Sequence, residues 1–269
     1  MFAVLPSLAL LTDEQVLKFD TQAFPLNEMT AKQLDVGVST ISTGKLHECA
    51  LHLGIVPPGA AASKGPWRHL VQDRWKHNPH RSEINSCYLR WLKEVIGPLM
   101  LAKGETEMWY STELLIRFHT PCPLSLQSPP PPPRLQDPSK NGSTRPYGKR
   151  KGVNRRGIST KRHSDRDYGH PSGELNVWLP LNDHAYGTNS LFRDRKPWAG
   201  EGSSRPFDLR YGEYVLWYGN GCPHETRMNV TDVTRVSFDF RVIPGTLFEE
   251  RGACRTFDCR GTYFSKMLL

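Results

Sequence analysis

The chain has 269 residues, of which 38% are hydrophobic and 10% aromatic, and it carries a formal charge of +8 at pH 7. That length and apolar fraction support a packed globular core, and the six cysteines (Cys49, Cys87, Cys122, Cys222, Cys254 and Cys259) have neither metal spacing nor the density of a secreted scaffold. The positive charge would invite a nucleic-acid partner if it were spread over the chain, but residues 145–162, RPYGKRKGVNRRGISTKR, hold eight Lys or Arg and no acid, so the remainder is balanced.

In chain order, the apolar opening MFAVLPSLALL has no basic region and no small-residue cleavage site, and it falls short of the ~20 residues that span a bilayer. It reads as buried chain, which together with the scattered thiols places the protein in a reduced, cytoplasmic setting without a membrane. Cys254 and Cys259 form the only close pair and read as ordinary thiols. Thr12 to Gln15, TDEQ, has the form of a capping box and predicts a helix start. A second helix is predicted over 81–101, where Ile84, Tyr88, Trp91, Val95 and Leu99 recur at three- and four-residue spacing as a core stripe. After residue 110 the period changes to two. Segments 111–120, 173–181, 212–218 and 232–242 read as strands separated by turn residues. Between the first two lies SPPPPPRLQDPSKNGS, residues 128–143, whose prolines exclude helix and ladder and whose polar remainder cannot build a core. Residues 1–269 are therefore read as one domain, with 121–157 a flexible Pro-rich and basic insertion. Its basic part, 145–162, is the only stretch suited to a nucleic-acid or acidic partner or to nuclear targeting. Helices followed by antiparallel strands predict an α+β fold whose β part is a sandwich or barrel with helices on one sheet.

The chemistry-bearing residues begin at HSDRDYGHPSGELNVWLPL, 163–181. In extended chain, side chains two apart share a face, so His163 and Asp165 converge on one point. His224, directly after the strand GEYVLWY, is the candidate third ligand. Two imidazoles and one carboxylate on one face of a metal are the facial arrangement of non-haem Fe(II) oxygenases, although H-x-D alone also fits an ordinary surface loop. Downstream, Arg235 and Ser237 share the strand face opposite Val236, Phe238, Phe240 and Val242. A guanidinium with a hydroxyl beside it is a receptor for a carboxylate. The alternative is an exposed Arg235 paired with Asp232 or Asp239.

Together these motifs carry a resemblance. His163-Ser-Asp165, His224 and Arg235-Val-Ser237 are similar to the Fe(II)- and 2-oxoglutarate-dependent dioxygenases. More narrowly, IRFHTP (116–121), residues 162–191 and residues 224–244 resemble the phytanoyl-CoA-dioxygenase-like branch and, within it, hydroxylase-like proteins of streptomycin-type pathways. Residues 11–24, LTDEQVLKFDTQAF, resemble the amino-terminal helix of that branch, whereas the Pro-rich loop departs from its pattern. The resemblance implies a double-stranded β-helix (a jelly-roll, cupin-like barrel), iron on His163, Asp165 and His224, 2-oxoglutarate held by Arg235 and Ser237 with Asn176 donating to it, and O2 as the oxidant. It implies hydroxylation or another oxidation of a C–H bond. Arg117, Tyr168, Asn189 and Arg241 are candidate substrate contacts, with Ser190 and His170 nearby. Their polarity favours a small polar substrate such as an amino acid, sugar or aminocyclitol derivative. The competing readings are a nucleic-acid or protein demethylase of the same chemistry, and a non-oxygenase metal-binding cupin-like barrel.

Overall fold

A computed structural model describes residues 14–52, 75, 77, 79–122, 160–197, 204–248 and 263–269. The capping residues Thr12 and Asp13, nearly all of the Pro-rich insertion and the Cys254/Cys259 pair lie outside this set. Among the described residues there are twelve strands: β1 (Gln15–Lys18), β2 (Glu107–Ser111), β3 (Leu115–His119), β4 (Leu175–Pro180), β5 (His184–Ala185), β6 (Phe192–Arg193), β7 (Arg205–Pro206), β8 (Leu209–Arg210), β9 (Glu213–Trp217), β10 (His224–Glu225), β11 (Arg235–Pro244) and β12 (Phe264–Leu268). The helices are α1 (Leu26–Leu34), α2 (Val38–Ser42), α3 (Leu46–His52), α4 (Arg81–Trp91) and α5 (Gly97–Leu101), with a π-helical turn, Leu92–Ile96, joining the last two. No described helix is long and apolar enough to cross a membrane.

All strand pairs are antiparallel. The large sheet runs β1-β9-β4-β11-β2-β12, with β3 also paired to β11, and two smaller sheets pair β10-β6-β7 and β5-β8. The result is an α+β arrangement of helices and antiparallel sheets, and the described strands do not close into a barrel. Strand β11 is the axis, because its ten residues are long enough to pair with β4 along one edge and with β3 and then β2 along the other. That explains why the single strand read over 111–120 is two. Val242 faces Tyr110 while Arg235 faces His119, so the chain must break between them, and the Thr112 amide turns away to the Tyr263 carbonyl at 2.8 Å.

Alternation divides the large sheet into two faces. One carries Leu175, Val177, Leu179, Tyr214, Leu216, Val236, Phe238, Phe240 and Val242, which join the main core with the helices. The predicted helical stripe over 81–101 lands here. Trp91 meets Tyr214 and Phe240 edge-on at 5.0 and 5.5 Å, and Tyr88 meets Phe240 at 5.0 Å. The π turn widens one helical turn without ending the helix, and Leu92 and Ile96 within it and Met100 beyond it are fully buried. The opposite face carries Asn176, Trp178, Val215, Trp217, Arg235, Ser237, Asp239 and Arg241 by the same alternation. A smaller core of Trp178, Ala185, Leu191, Phe207, Leu209, Val215, Trp217 and Cys222 covers part of it.

The amino-terminal expectation is corrected. Residues 15–18 form strand β1, pairing with 213–216 of β9, and not the start of a helix. Two competing interactions account for this. Glu14 binds Arg193 in place of a helix amide, and the Asp20 carboxylate accepts from the Gln22 and Ala23 amides at 2.8 and 3.1 Å, making a turn where a helix would have to continue. The first described helix instead begins at Leu26, after Pro25.

Candidate metal centre

His163 and His224 are backbone partners. The His163 amide donates to the His224 carbonyl at 3.0 Å and the His224 amide to the His163 carbonyl at 2.7 Å, which brings their rings to 4.3 Å between centroids. Each ring is then oriented by a carbonyl of its own segment. Nδ1 of His163 lies 2.6 Å from the Lys161 oxygen and Nδ1 of His224 lies 3.1 Å from the Cys222 oxygen. A carbonyl can only accept, so both Nδ1 atoms donate, and in the neutral imidazoles both Nε2 atoms present lone pairs. Burial lowers the pKa of His163 below its ordinary value, with His224 adding to the effect, and this favours the neutral ring a metal needs.

Ser164 between the ligand candidates is extended (φ −107°, ψ 153°), so His163 and Asp165 do share a side, although Asp165 already opens a 3-10 turn over Asp165–Tyr168. That turn is held by Asp167, whose carboxylate accepts from the Ser164 amide at 2.8 Å and its hydroxyl at 3.0 Å. Oδ1 of Asp165 lies 3.4 Å from Nε2 of His224 and 3.7 Å from Nε2 of His163. Three donor atoms therefore converge within 4.8 Å of one another, a group able to hold a metal ion. Burial alone would raise the Asp165 pKa, but the Arg241 guanidinium and His224 hold it well below the ordinary carboxylate range.

A cavity of about 60 Å³ opens beside this group, with His163, Asn176, Trp178, His224, Arg235 and Arg241 in its wall. Arg235 is buried at 3% exposure with its guanidinium 5.5 Å above the Trp178 ring, so the exposed-strand alternative does not hold. Its proposed partners are engaged elsewhere: Asp232 with Lys45, and Asp239 with Arg117 and Arg241. Ser237 is fully buried and its Oγ finds no hydrogen-bond partner among the described residues. The indole Nε1 of Trp217, which unlike Ser237 belongs to the cavity wall, is equally without one among the described residues. Buried donors left unmatched beside a buried cation fit an anionic, acceptor-rich ligand.

The remaining sequence candidates separate. Arg117 lies at the cavity rim with a side chain 43% exposed, 3.5 Å from Asp239. Tyr168 is exposed and sets its ring edge-on to His163 at 4.8 Å. Asn189 is fully buried, away from the cavity wall, with Oδ1 accepting from the Tyr186 amide at 2.9 Å inside a 3-10 turn. Asn176 donates through Nδ2 to Oδ2 of Asp165 at 2.6 Å and accepts the Gly219 amide at 3.0 Å. Arg241 reaches Asp165, Glu174 and Asp239 together. Sequence reading missed Glu174, which is fully buried 2.9 Å from Arg241 Nε and 2.8 Å from His170 Nδ1. The available signal was its alternation with Asn176 and Trp178, which puts a carboxylate on the cavity side of the sheet. Burial pushes the Glu174 pKa up despite both neighbours.

No family model matches the chain. Among curated proteins it is similar to the streptomycin biosynthesis protein StrG of Streptomyces griseus, 39% identical over 87 residues. That match covers 32% of this chain and spans 39% of the relative's length. Among solved structures it is similar to a nickel complex of the non-heme monooxygenase ThoJ (TM-score 0.36, 15% identity, 81% of this chain and 69% of that one). It is also similar to the non-heme alpha-ketoglutarate-dependent epimerase SnoN from nogalamycin biosynthesis (TM-score 0.39, 12% identity, 96% and 93%).

Proposed function

We propose that the chain is an Fe(II)- and 2-oxoglutarate-dependent dioxygenase that oxidises a C–H bond of a small polar molecule. One observation carries the reading: two imidazoles, each locked by a carbonyl at Nδ1, direct Nε2 toward the same carboxylate oxygen at the end of a cavity that contains a buried arginine. His163, Asp165 and His224 would hold the iron. Arg235 and Ser237 would receive the distal carboxylate of 2-oxoglutarate, the guanidinium by a charge-assisted pair and the hydroxyl by one further donor. When bound, Fe(II) with 2-oxoglutarate and O2 supplies oxidative decarboxylation to succinate and carbon dioxide coupled to C–H oxidation.

The protein's own part is to orient and to exclude water. The sheet face opposite the helices supplies the cosubstrate residues from β11, and the small core around Trp178 and Trp217 keeps that end dry. Arg117, half exposed at the rim, is the residue placed to meet a polar or anionic substrate group. We read the large sheet with the smaller sheets over its cavity face as an open double-stranded β-helix, within one domain over 1–269. The direct test is anaerobic addition of Fe(II) and 2-oxoglutarate. A metal-to-cosubstrate charge-transfer absorbance is expected, followed by substrate-dependent succinate release in air; no absorbance at saturating concentrations of both would reject the reading.

A further inference from the structure

Sequence reading assigns Asn176 to the cosubstrate and Arg241 to the substrate. Both residues instead reach the same oxygen of Asp165. We propose that Asn176 and Arg241 are positioning residues that occupy Oδ2 of Asp165, so that Oδ1 alone is left to face the two imidazoles. The inference rests on the metal-centre reading above and concerns how its carboxylate is held.

The two oxygens of Asp165 have different surroundings. Oδ1 has His224 Nε2 at 3.4 Å and His163 Nε2 at 3.7 Å. Oδ2 has Asn176 Nδ2 at 2.6 Å and Arg241 Nη2 at 3.3 Å. A free carboxylate could turn either oxygen, or both, toward a cation; here one already accepts the Asn176 amide and is ion-paired with the Arg241 guanidinium.

Neither donor is free to turn away. The Asn176 amide is fixed in sense because Oδ1 accepts the Gly219 N–H at 3.0 Å, which an NH2 group could not do. Gly219 is itself tied to the ligand segment, its carbonyl accepting the Asp165 amide at 3.1 Å. The approach also requires glycine, because a Cβ at 219 would lie 2.4 Å from Asn176 Oδ1. Arg241 is anchored in its turn by Glu174, 2.9 Å from Nε, and by Asp239 at Nη1. His170 closes the chain on the far side of Glu174 at 2.8 Å. A buried arginine among three acids would be an obscure arrangement for a substrate contact. As the clamp of one carboxylate oxygen, each of its contacts is accounted for.

The test uses Co(II) as the probe metal in the full chain, read by its visible absorption and by calorimetry, with wild type, His224→Ala, Asn176→Leu and Arg241→Lys. Asn176→Leu removes the donor at near-constant volume, and Arg241→Lys keeps the buried charge while losing the fork, so one remains informative if the other does not fold. The expected result is a 10- to 100-fold weaker Co(II) affinity in both variants, as for lost outer-shell partners of a metal ligand. A changed ligand-field spectrum should accompany it as Asp165 is released to offer both oxygens, a signature that a purely structural role would not produce. Wild-type affinity and spectrum in both variants overturn the inference while leaving the metal centre intact. His224→Ala binding Co(II) as wild type does overturns the centre itself, and the inference with it.

Discussion

His163 and His224 exchange both of their backbone hydrogen bonds, at 3.0 and 2.7 Å, although the strands from β4 to β9 lie between them in the chain. The bridge sets the spacing of the two rings independently of any ion, so the site should survive in shape when it loses one ligand. His224→Ala is accordingly expected to keep a cooperative unfolding transition while its iron content, measured by elemental analysis after anaerobic loading, falls far below one per chain. Full iron retention in the purified variant would mean that the metal is held elsewhere.

A second histidine gives a pH dependence outside the site. His47 Nδ1 lies 2.7 Å from the Thr234 hydroxyl, and burial lowers its pKa below the ordinary value of 6.5. Between the depressed folded value and 6.5 the unfolded chain binds more protons than the folded one, so stability rises with pH across that window and is lost as pH falls through it. Metal-free wild type should therefore lose stability from pH 8 to pH 5.5 more steeply than His47→Gln, with urea denaturation as the measurement. Parallel curves would show that His47 titrates alike in both states.

Strand β11 was legible because its alternation is strict and both faces have a strong character: Val236, Phe238, Phe240 and Val242 against Arg235, Ser237, Asp239 and Arg241. Local sequence also identified the ligand candidates, since one extended residue between His163 and Asp165 suffices to align them. Partner identity was not legible. That Arg241 serves Asp165 depends on the registration of β4 against β11, where Arg241 faces Asn176, and no short window contains that pairing. Asn189 shows the converse, a polar residue near the motif whose side chain closes a turn. The amino-terminal capping box failed for a related reason: the open edge of β9 offered residues 15–18 a ladder, and a tertiary partner outweighs a local cap.

The Pro-rich insertion can be tested from its anchors. On one side the Cys122 amide donates to the Asn229 carbonyl at 2.8 Å, and on the other the Thr160 amide donates to the Thr226 hydroxyl at 2.8 Å. Both anchors sit on one short segment, so a linker of about eight Gly/Ser residues, at ~3.3 Å each, is long enough to join them. Replacing residues 123–158 in this way should leave thermal stability and 2-oxoglutarate affinity near wild type. An unfolded product would show that the replaced residues are packed. Retained cosubstrate binding with lost substrate turnover would assign them to the substrate.

Arg235 separates an oxygenase from a metal-binding barrel. Its guanidinium is buried at 3% exposure over Trp178, in the wall of the same cavity as both imidazoles. If it receives the distal carboxylate of 2-oxoglutarate, Arg235→Ala deletes a charge-assisted pair and leaves that carboxylate partly desolvated, a loss of roughly 2–4 kcal/mol or about 30- to 1000-fold in affinity. Arg235→Lys should recover only part of this, because an ammonium cannot reproduce the planar fork. Ser237→Ala removes a single hydroxyl donor and should cost about 1–2 kcal/mol. Iron affinity should stay near wild type in all three, since neither residue belongs to the ligand group, and this distinguishes them from Asn176→Leu and Arg241→Lys. The measurement is a 2-oxoglutarate titration of the iron-loaded protein followed by its charge-transfer band. Unchanged cosubstrate affinity in Arg235→Ala would remove 2-oxoglutarate from this cavity and leave His163, Asp165 and His224 as the metal site of a non-oxygenase barrel.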